Sequence, residues 1–138
     1  MKPDLSEEIS LTPAFHDLDP MAVVWHGNYL KYFEIARCAL LQRLDYDYVQ
    51  MHDSGYLWPI VDLRSKYVAP VRIGQALRIR AEIVEWENRL KIAYTVHDAA
   101  SGTVLTRAHT IQVAVDLKTQ QMCYVSPPIL LQRLGIAS

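Results

Sequence analysis

Cysteine is scarce in this sequence: Cys38 and Cys123 are the only two among 138 residues. They lie far apart, whereas zinc-binding and redox motifs place cysteines in close pairs. The five histidines show no His-x-x-x-His or comparable ligand spacing, so a metal site would need ligands from distant segments. We therefore predict neither a redox motif nor a metal site.

Strong charge of either sign and long apolar runs are also lacking. The formal net charge is −1, and no basic run or interleaving of basic and aromatic residues occurs, which disfavours nucleic-acid binding. No apolar stretch approaches the roughly 18 residues needed to span a bilayer, and the first residues lack the apolar segment of a signal peptide. We therefore expect a cytoplasmic protein without a transmembrane segment.

Hydrophobic residues, in contrast, are abundant and make up 51% of the chain. At this length, that share is enough for one sizeable core. No internal repeat, low-complexity tract or linker interrupts the chain. The sequence therefore predicts a single domain over residues 1–138.

The longest helical pattern covers residues 28–44, where no proline or glycine occurs. Apolar residues recur there at the spacing of one helical face, namely Tyr29, Tyr32, Phe33, Ala36, Leu40 and Leu44. Other apolar side chains lie off that stripe, as expected of a helix that neighbours bury on several sides. Residues 28–44 are therefore predicted to form the central helix, with Asn28 or His26 as a cap for its first turn.

The rest of the chain shows the alternation of β-strands. A first strand is predicted over residues 8–16, with an edge or bulge at Pro13. A partly helical segment at 45–55 and a short helical turn at 127–134 flank four further strands, at 59–70, 77–86, 90–98 and 103–117. The short turns indicate antiparallel pairing in a meander. The expected fold class is α+β, in the order β-α-β-β-β-β, with a curved five-stranded sheet wrapped around one helix.

An acidic turn lies directly before the central helix. Asp17 and Asp19 flank Leu18, and Pro20 follows. Unpaired backbone N–H groups at a helix start form a partial positive pole that suits an anion or a polarised carbonyl oxygen. A carboxylate pair beside that pole suggests chemistry, but Asp-Pro is also common in ordinary turns. From these residues alone, a catalytic site and a structural turn both stay open.

Blocks of residues around this turn occur in a distinctive combination. They are Phe15-x-Asp17-x-Asp19, Val23-Val24-Trp25-His26-x-Asn28-Tyr29 and Tyr32-Phe33-Glu34-x-Ala36-Arg37, followed later by Pro59-Ile60-Val61, Tyr67-x-x-Pro70 and Val115-Asp116. In these blocks the chain resembles the hot-dog-fold acyl-CoA thioesterases of the 4-hydroxybenzoyl-CoA thioesterase type, including the relatives associated with the Tol-Pal system. The resemblance covers roughly residues 8–125.

The resemblance implies a hot-dog fold and hydrolysis of an acyl-CoA or aryl-CoA thioester. Coenzyme A would be part of the substrate, and no separate cofactor is expected. The family also implies a homodimer, often paired into a homotetramer, with each pocket between subunits. A long free edge of the sheet would itself favour pairing with another chain.

The same resemblance assigns catalytic roles within the turn. Asp19 matches the family's catalytic carboxylate, which acts either as a nucleophile or as a base that orients water. The backbone N–H of His26 matches the donor that polarises the thioester carbonyl. The imidazole of His26 either assists the reaction or serves only as a cap.

Five more residues are candidates for substrate binding. Asp17 is the flanking acid, and Asn28 and Tyr29 follow at the start of the helix, where a cap and a core aromatic are the alternative explanations. Arg89 and Lys91 match in part the basic cluster that would meet the coenzyme A phosphates. Ordinary surface charge explains these two residues as well.

The chain departs from the family pattern at Met21-Ala22, where a small pair that contains glycine is usual, and at Gln75, where an acidic residue is common. Alanine adopts positive φ less readily than glycine, so the turn geometry or the pocket width is expected to differ. Three alternatives stay open: a thioesterase for acyl carrier protein thioesters, a non-catalytic acyl-thioester-binding protein, and a hydratase or dehydratase of the same fold.

Overall fold

The computed structural model describes residues 3–136. Its strands and helices are β1 (Ser6–Leu11), α1 (Tyr29–Arg43), α2 (Tyr48–Asp53), β2 (Tyr56–Leu57), β3 (Ile60–Tyr67), β4 (Leu77–Glu85), β5 (Leu90–Asp98), β6 (Val104–Gln112), β7 (Val115–Asp116) and α3 (Pro128–Leu134). Two short 3₁₀ helices, Phe15–Asp17 and His26–Asn28, lie between β1 and α1. The ends of the predicted domain, residues 1–2 and 137–138, lie outside the described residues.

Helix α1 lies at the centre of the fold and confirms the prediction for residues 28–44 to within one residue at each end. Its side chains Tyr32, Phe33 and Leu40 are at most 1% exposed, because the helix packs against β1 and β4. The ring of Phe33 stacks on the ring of Tyr94 in β5, with the centroids 4.9 Å apart. Helix and sheet therefore share one apolar core.

The large sheet has the strand order β1-β4-β5-β6-β3, and every neighbouring pair is antiparallel. In β4, Leu77, Ile79, Ala81 and Ile83 are buried, whereas Arg78, Arg80, Glu82 and Val84 between them are exposed. Alternation of this kind packs one face of a sheet on the core and leaves the other in solvent. The predicted α+β class, with an antiparallel five-stranded sheet around one helix, is confirmed.

The predicted meander is wrong for its first strand. β3 does not pair with β4, which follows it in the chain, but with β6 at the far edge of the sheet. The backbone N–H groups of Val68 and Ala69 both donate to the Leu105 carbonyl, so the chain leaves β3 at its end beside β6. Residues 68–76 are then a long crossing connection and not the short turn that a hairpin needs. Only β4, β5 and β6 form a meander.

The predicted first strand over residues 8–16 is also wrong in its second half. β1 ends at Leu11, and the chain turns at Ala14, whose carbonyl accepts the backbone N–H of Asp17 at 2.9 Å. Pro13 has no N–H to offer to a sheet ladder, which favours the break at this point. Phe15, which continued the apolar alternation, is consequently 81% exposed.

The predicted strand over residues 103–117 is interrupted. β6 ends at Gln112, and β7 pairs with β2 in a separate two-stranded sheet. The side-chain amide of Gln112 donates to the Trp58 carbonyl at 2.7 Å, which ties β6 to the segment that follows β2. The helical segments predicted at 45–55 and 127–134 are confirmed as α2 and α3. No helix within the described range 3–136 has the length and apolar character needed to cross a membrane.

Candidate active site

The loop between β1 and α1 is anchored by the side chain of Asp17, which is 3% exposed. One carboxylate oxygen accepts the Tyr32 hydroxyl at 2.7 Å and the Ala14 backbone N–H at 3.1 Å, while the other accepts the Lys31 ammonium group. Burial alone would raise the pKa of Asp17, but the bonds from Lys31, Tyr32 and Ala14 outweigh it and lower that pKa from 3.8 to about 2. Asp17 is therefore an ionised structural anchor at neutral pH.

The backbone of Asp17 holds the start of the helix in place. Its carbonyl accepts the Trp25 backbone N–H at 3.0 Å and the Asn28 side-chain amide at 2.8 Å. An antiparallel bridge between Leu18 and Val24 closes the same loop. The prediction that the side chain of Asn28 or His26 caps α1 is therefore wrong, because no side chain bonds the first turn of α1 at this position. The Asn28 side chain instead ties the helix start to the acidic turn.

Asp19 lies at the tip of this loop in a tight turn. The Ala22 backbone N–H donates to the Asp19 carbonyl at 2.9 Å, and the Met21 N–H donates to one carboxylate oxygen at 2.8 Å. Among residues 3–136, no group donates to the second carboxylate oxygen of Asp19. Ala22 has φ 62°, in the left-handed region that favours glycine. The turn therefore keeps the conformation of a glycine-containing turn, at a cost in backbone strain.

Asp19 and His26 border one open pocket of about 310 Å³. Tyr29 and Tyr67 form part of its wall, and their rings meet edge to face with centroids 4.9 Å apart. The Tyr67 hydroxyl donates to the His26 carbonyl at 2.8 Å. This bond fixes the His26 peptide, at the start of the helical segment, relative to β3. The Asp19 carboxylate and the helix start at His26 therefore border the same pocket.

His26 is the first residue of the 3₁₀ helix that leads into α1. Among the residues that the structure describes, nothing accepts a hydrogen bond from its backbone N–H. Such N–H groups at a helix start carry partial positive charge and suit a developing oxyanion. The imidazole is exposed beside the Trp25 ring, with centroids 5.0 Å apart.

Two residues of this site were not among the predicted site residues. From the sequence, Tyr67 had no role in the site, only a place in the predicted strand 59–70 and in the block Tyr67-x-x-Pro70, whereas the structure places it in the wall of the pocket. A Cβ at Gly27 would lie 2.2 Å from the Trp25 ring, so glycine alone lets that ring lie against the turn. A glycine between a histidine and a predicted helix was the signal for this close approach.

The predicted substrate-binding residues do not all meet at the pocket. Tyr29 borders it although it is only 2% exposed, whereas Asp17 and Asn28 do not line it and are bonded to each other through the Asp17 carbonyl. Arg89 and Lys91 are on the β4–β5 hairpin and do not line the pocket. Arg89 donates to both carboxylate oxygens of Glu85, at 3.0 and 3.2 Å.

The chain has recognisable relatives among known proteins. The thioesterase-like superfamily matches residues 13–133. YneP of Bacillus subtilis, provisionally named an acyl-CoA thioesterase, is 30% identical over 103 residues, which cover 74% of each chain. YbgC of Escherichia coli, named an acyl-CoA thioester hydrolase, is 24% identical over 102 residues, which cover 74% of this chain and 76% of YbgC.

A solved structure supports the fold. Slr0204 of Synechocystis, a 1,4-dihydroxy-2-naphthoyl-CoA thioesterase, superimposes with a TM-score of 0.83 at 20% identity, over 94% of this chain and 96% of that chain. At this identity the likeness concerns the fold, and it confirms the predicted hot-dog architecture. The match over residues 13–133 and the similarity to YneP place the carboxylate turn and the helix start within a known family. The chain belongs to the thioesterase-like superfamily.

Proposed function

We propose that this protein hydrolyses an acyl-CoA or aryl-CoA thioester to the free acid and coenzyme A. The observation that carries the proposal is the shared pocket of the Asp19 carboxylate and the His26 helix start. The names of YneP and YbgC, both of which refer to acyl-CoA thioesters, support the same substrate class.

The chemistry follows from the two groups. The thioester carbonyl oxygen accepts the His26 backbone N–H, and one such donor commonly contributes on the order of 10²–10³ in rate. Asp19 either attacks the carbonyl carbon, which gives an anhydride that water then opens, or removes a proton from an attacking water. In both routes the C–S bond breaks, and the coenzyme A thiolate takes up a proton.

The remaining substrate contacts are part of the same proposal. Coenzyme A is carried by the substrate, and the mechanism uses no other cofactor. Tyr29 borders the pocket and is a candidate contact for the thioester end of the substrate. Arg89 and Lys91 remain candidates for the phosphates, although Glu85 already pairs with Arg89.

The active form is proposed to be a homodimer or a larger homo-oligomer. β3 is a free edge of the sheet, and Val61 and Leu63 on it are 58% and 40% exposed. A free edge of this length, with exposed Val61 and Leu63 on it, favours pairing with another chain. Sedimentation at micromolar concentration should give at least a dimer, and a monomer would contradict the proposal.

The test of activity is a panel of acyl-CoA and aryl-CoA substrates with a reagent that detects the free thiol. We expect thiol release from at least one substrate, and its loss in Asp19→Asn. Binding of these thioesters without release would identify a non-catalytic binding protein. Much faster turnover of the same acyl group on acyl carrier protein would move the assignment to the carrier-bound thioester. Release from none of the substrates would contradict the proposed function.

A further inference from the structure

The outer face of the large sheet carries several basic side chains. Arg78 and Arg80 are among the exposed residues of β4, which alternate with its buried ones. Arg80 lies opposite Thr95 in β5, which lies opposite Arg107 in β6. Arg107 in turn lies opposite Lys66 in β3. Because directly opposite residues of an antiparallel pair share one face, these cations lie together on the outer side of the sheet.

Arg64 belongs to the same surface, since it lies two residues before Lys66 and alternate residues of a strand point to one face. We refer to Arg64, Lys66, Arg78 and Arg107 as the basic patch. All four residues are exposed. Within residues 3–136, no carboxylate lies within ion-pair distance of any of them, including that of Asp62 on the same strand as Arg64. The patch therefore offers four cations to a group outside the chain.

Lys66 and Arg107 form a direct cross-strand pair of like charge. Such pairs are destabilising. Two acids on this face do not offset the repulsion, because Glu82 bonds Arg80 at 3.4 Å and Glu8 lies opposite Arg80. A local arrangement that costs stability within the chain is typical of a functional surface. We therefore expect an anion from outside the chain to neutralise this pair.

The basic patch contrasts with the charge of the whole chain, which is −1. The rest of the surface is therefore acidic on balance, and an anionic partner attracts the protein by one side only. This asymmetry is not visible along the sequence, because the four cations come from three strands and meet only in the folded sheet. Folding therefore gives the molecule a defined basic side.

The shape and composition of this face restrict what it can bind. A sheet that wraps around a helix is convex on its outer side, whereas sites for small molecules are concave. Tyr67 and Tyr94 are the aromatic residues of β3 to β6, and both lie on the other face. The face therefore lacks the aromatic anchors that dominate protein–protein interfaces. A second copy of the chain would bring like charges together. An extended anionic surface fits this face better than any of these partners.

We propose that the basic patch binds an anionic phospholipid surface. Phospholipid headgroups present negative charge over a wide area and require neither a cleft nor an apolar anchor, and each Lys or Arg close to them strengthens binding about fivefold. Lys66 directly precedes Tyr67, which borders the Asp19 pocket, so the lipid-bound face lies next to the pocket. Pairing of two copies at β3 would extend the sheet without covering its outer face. Binding to lipid does not require the proposed thioesterase activity.

Cosedimentation with vesicles tests the interaction directly. The protein is mixed at low salt with vesicles of phosphatidylcholine alone or of phosphatidylcholine with phosphatidylglycerol. We expect binding only to the vesicles that contain phosphatidylglycerol, with a bound fraction that falls as salt is added, because salt screens exposed charges. Absence of binding to the anionic vesicles, or equal binding to both kinds, would overturn the proposal.

Single substitutions locate the interaction on the patch. Lys66→Gln and Arg107→Gln should each weaken binding to the anionic vesicles about fivefold, and the double variant about 25-fold. Lys118→Gln is the matched control, since it removes an exposed lysine from the turn after β7 and changes the net charge equally. This control should bind like wild type. Equal losses in Lys66→Gln and Lys118→Gln would show that net charge alone decides binding and would overturn the patch.

The stability of the variants distinguishes a binding role from a structural one. Because Lys66 repels Arg107 in the free protein, Lys66→Gln should keep or raise the urea midpoint of wild type while it loses affinity for lipid. A clear loss of stability would show instead that Lys66 supports the fold, which contradicts its assignment to a binding surface.

Competition separates lipid from two other anionic partners. Polyglutamate represents an acidic protein segment, and a single-stranded oligonucleotide represents nucleic acid. Tighter binding of either one than of the anionic vesicles would overturn the lipid assignment. Vesicle binding without thiol release from any thioester would support the lipid site and contradict the proposed function, whereas thiol release without vesicle binding would do the reverse.

Discussion

Asp17 and Asp19 are separated by one residue in the same loop, yet they lie in opposite environments. Asp17 is 3% exposed, and its carboxylate accepts three hydrogen bonds. Asp19 is half-buried at the mouth of a pocket, and its carboxylate accepts one hydrogen bond, from its own turn. The same side chain therefore serves as an anchor at one position and is available for chemistry at the other.

The difference arises from what each side chain faces. Asp17 points at the first turn of α1, where Lys31 and Tyr32 meet it. Asp19 follows the corner of the loop and faces the space beside His26 and Tyr67. Because Asp17 also binds the helix start through its carbonyl, the anchor sets where the second carboxylate stands relative to the His26 N–H. Substitutions at Asp19, Asp17 and Ala22 separate these two roles.

The largest effect is expected for Asp19→Asn. Asparagine keeps the size of the side chain and can still accept the Met21 N–H, but it lacks the anionic oxygen. We expect kcat to fall by on the order of 10²–10⁴ with a modest change in KM. Steady-state kinetics measure the loss of activity, and a thermal melt measures whether the variant keeps the stability of wild type. Full activity in this variant would show that Asp19 is not catalytic.

Asp17→Asn should have the reverse profile, with a loss of stability larger than its loss of activity. It removes a buried carboxylate that accepts charge-assisted hydrogen bonds, which we expect to cost about 2–3 kcal/mol in the free energy of unfolding. Urea unfolding measures this, with Asp53→Asn as the control because its side chain is 75% exposed. A stability equal to that of wild type would contradict the anchor role.

The pH dependence of stability should distinguish Asp17 by its low pKa. Because the folded-state pKa is about 2 and the reference value is 3.8, its contribution is complete above pH 3.8 and is lost as the pH falls towards 2. Asp17→Asn should lack this part of the acid destabilisation. Urea midpoints of wild type and variant, measured between neutral pH and pH 2, should therefore converge as the pH falls. Parallel curves would contradict the prediction.

The smallest effect is expected in the turn that carries Asp19. Ala22 has φ 62°, a conformation that costs an L-residue roughly 1–2 kcal/mol. Ala22→Gly should relieve this strain and raise the unfolding free energy by up to about 1 kcal/mol, since glycine also has more freedom in the unfolded chain. Ala100→Gly, at an exposed turn residue that does not itself have positive φ, should be neutral or destabilising. A less stable Ala22→Gly would show that the turn carries no strain.

Much of the fold was predictable because its signals are local. The uninterrupted helical spacing over residues 28–44 and the alternation in β4 and β5 each depend on near neighbours in the chain. The pairing of β3 was not predictable in this way. Whether β3 joins β4 or β6 is decided by contacts between residues far apart in sequence, such as Val68 with Leu105.

The sequence by itself determined the central helix, the strand faces and the carboxylate turn before a helix start, since hydrophobic period and turn chemistry are properties of short segments. Tertiary structure alone decided which aspartate is the anchor. That choice depends on Tyr32 and Lys31 reaching the loop from α1 and on Tyr67 reaching His26 from β3. The burial that makes one carboxylate structural and leaves the other open exists only after these three segments have packed together.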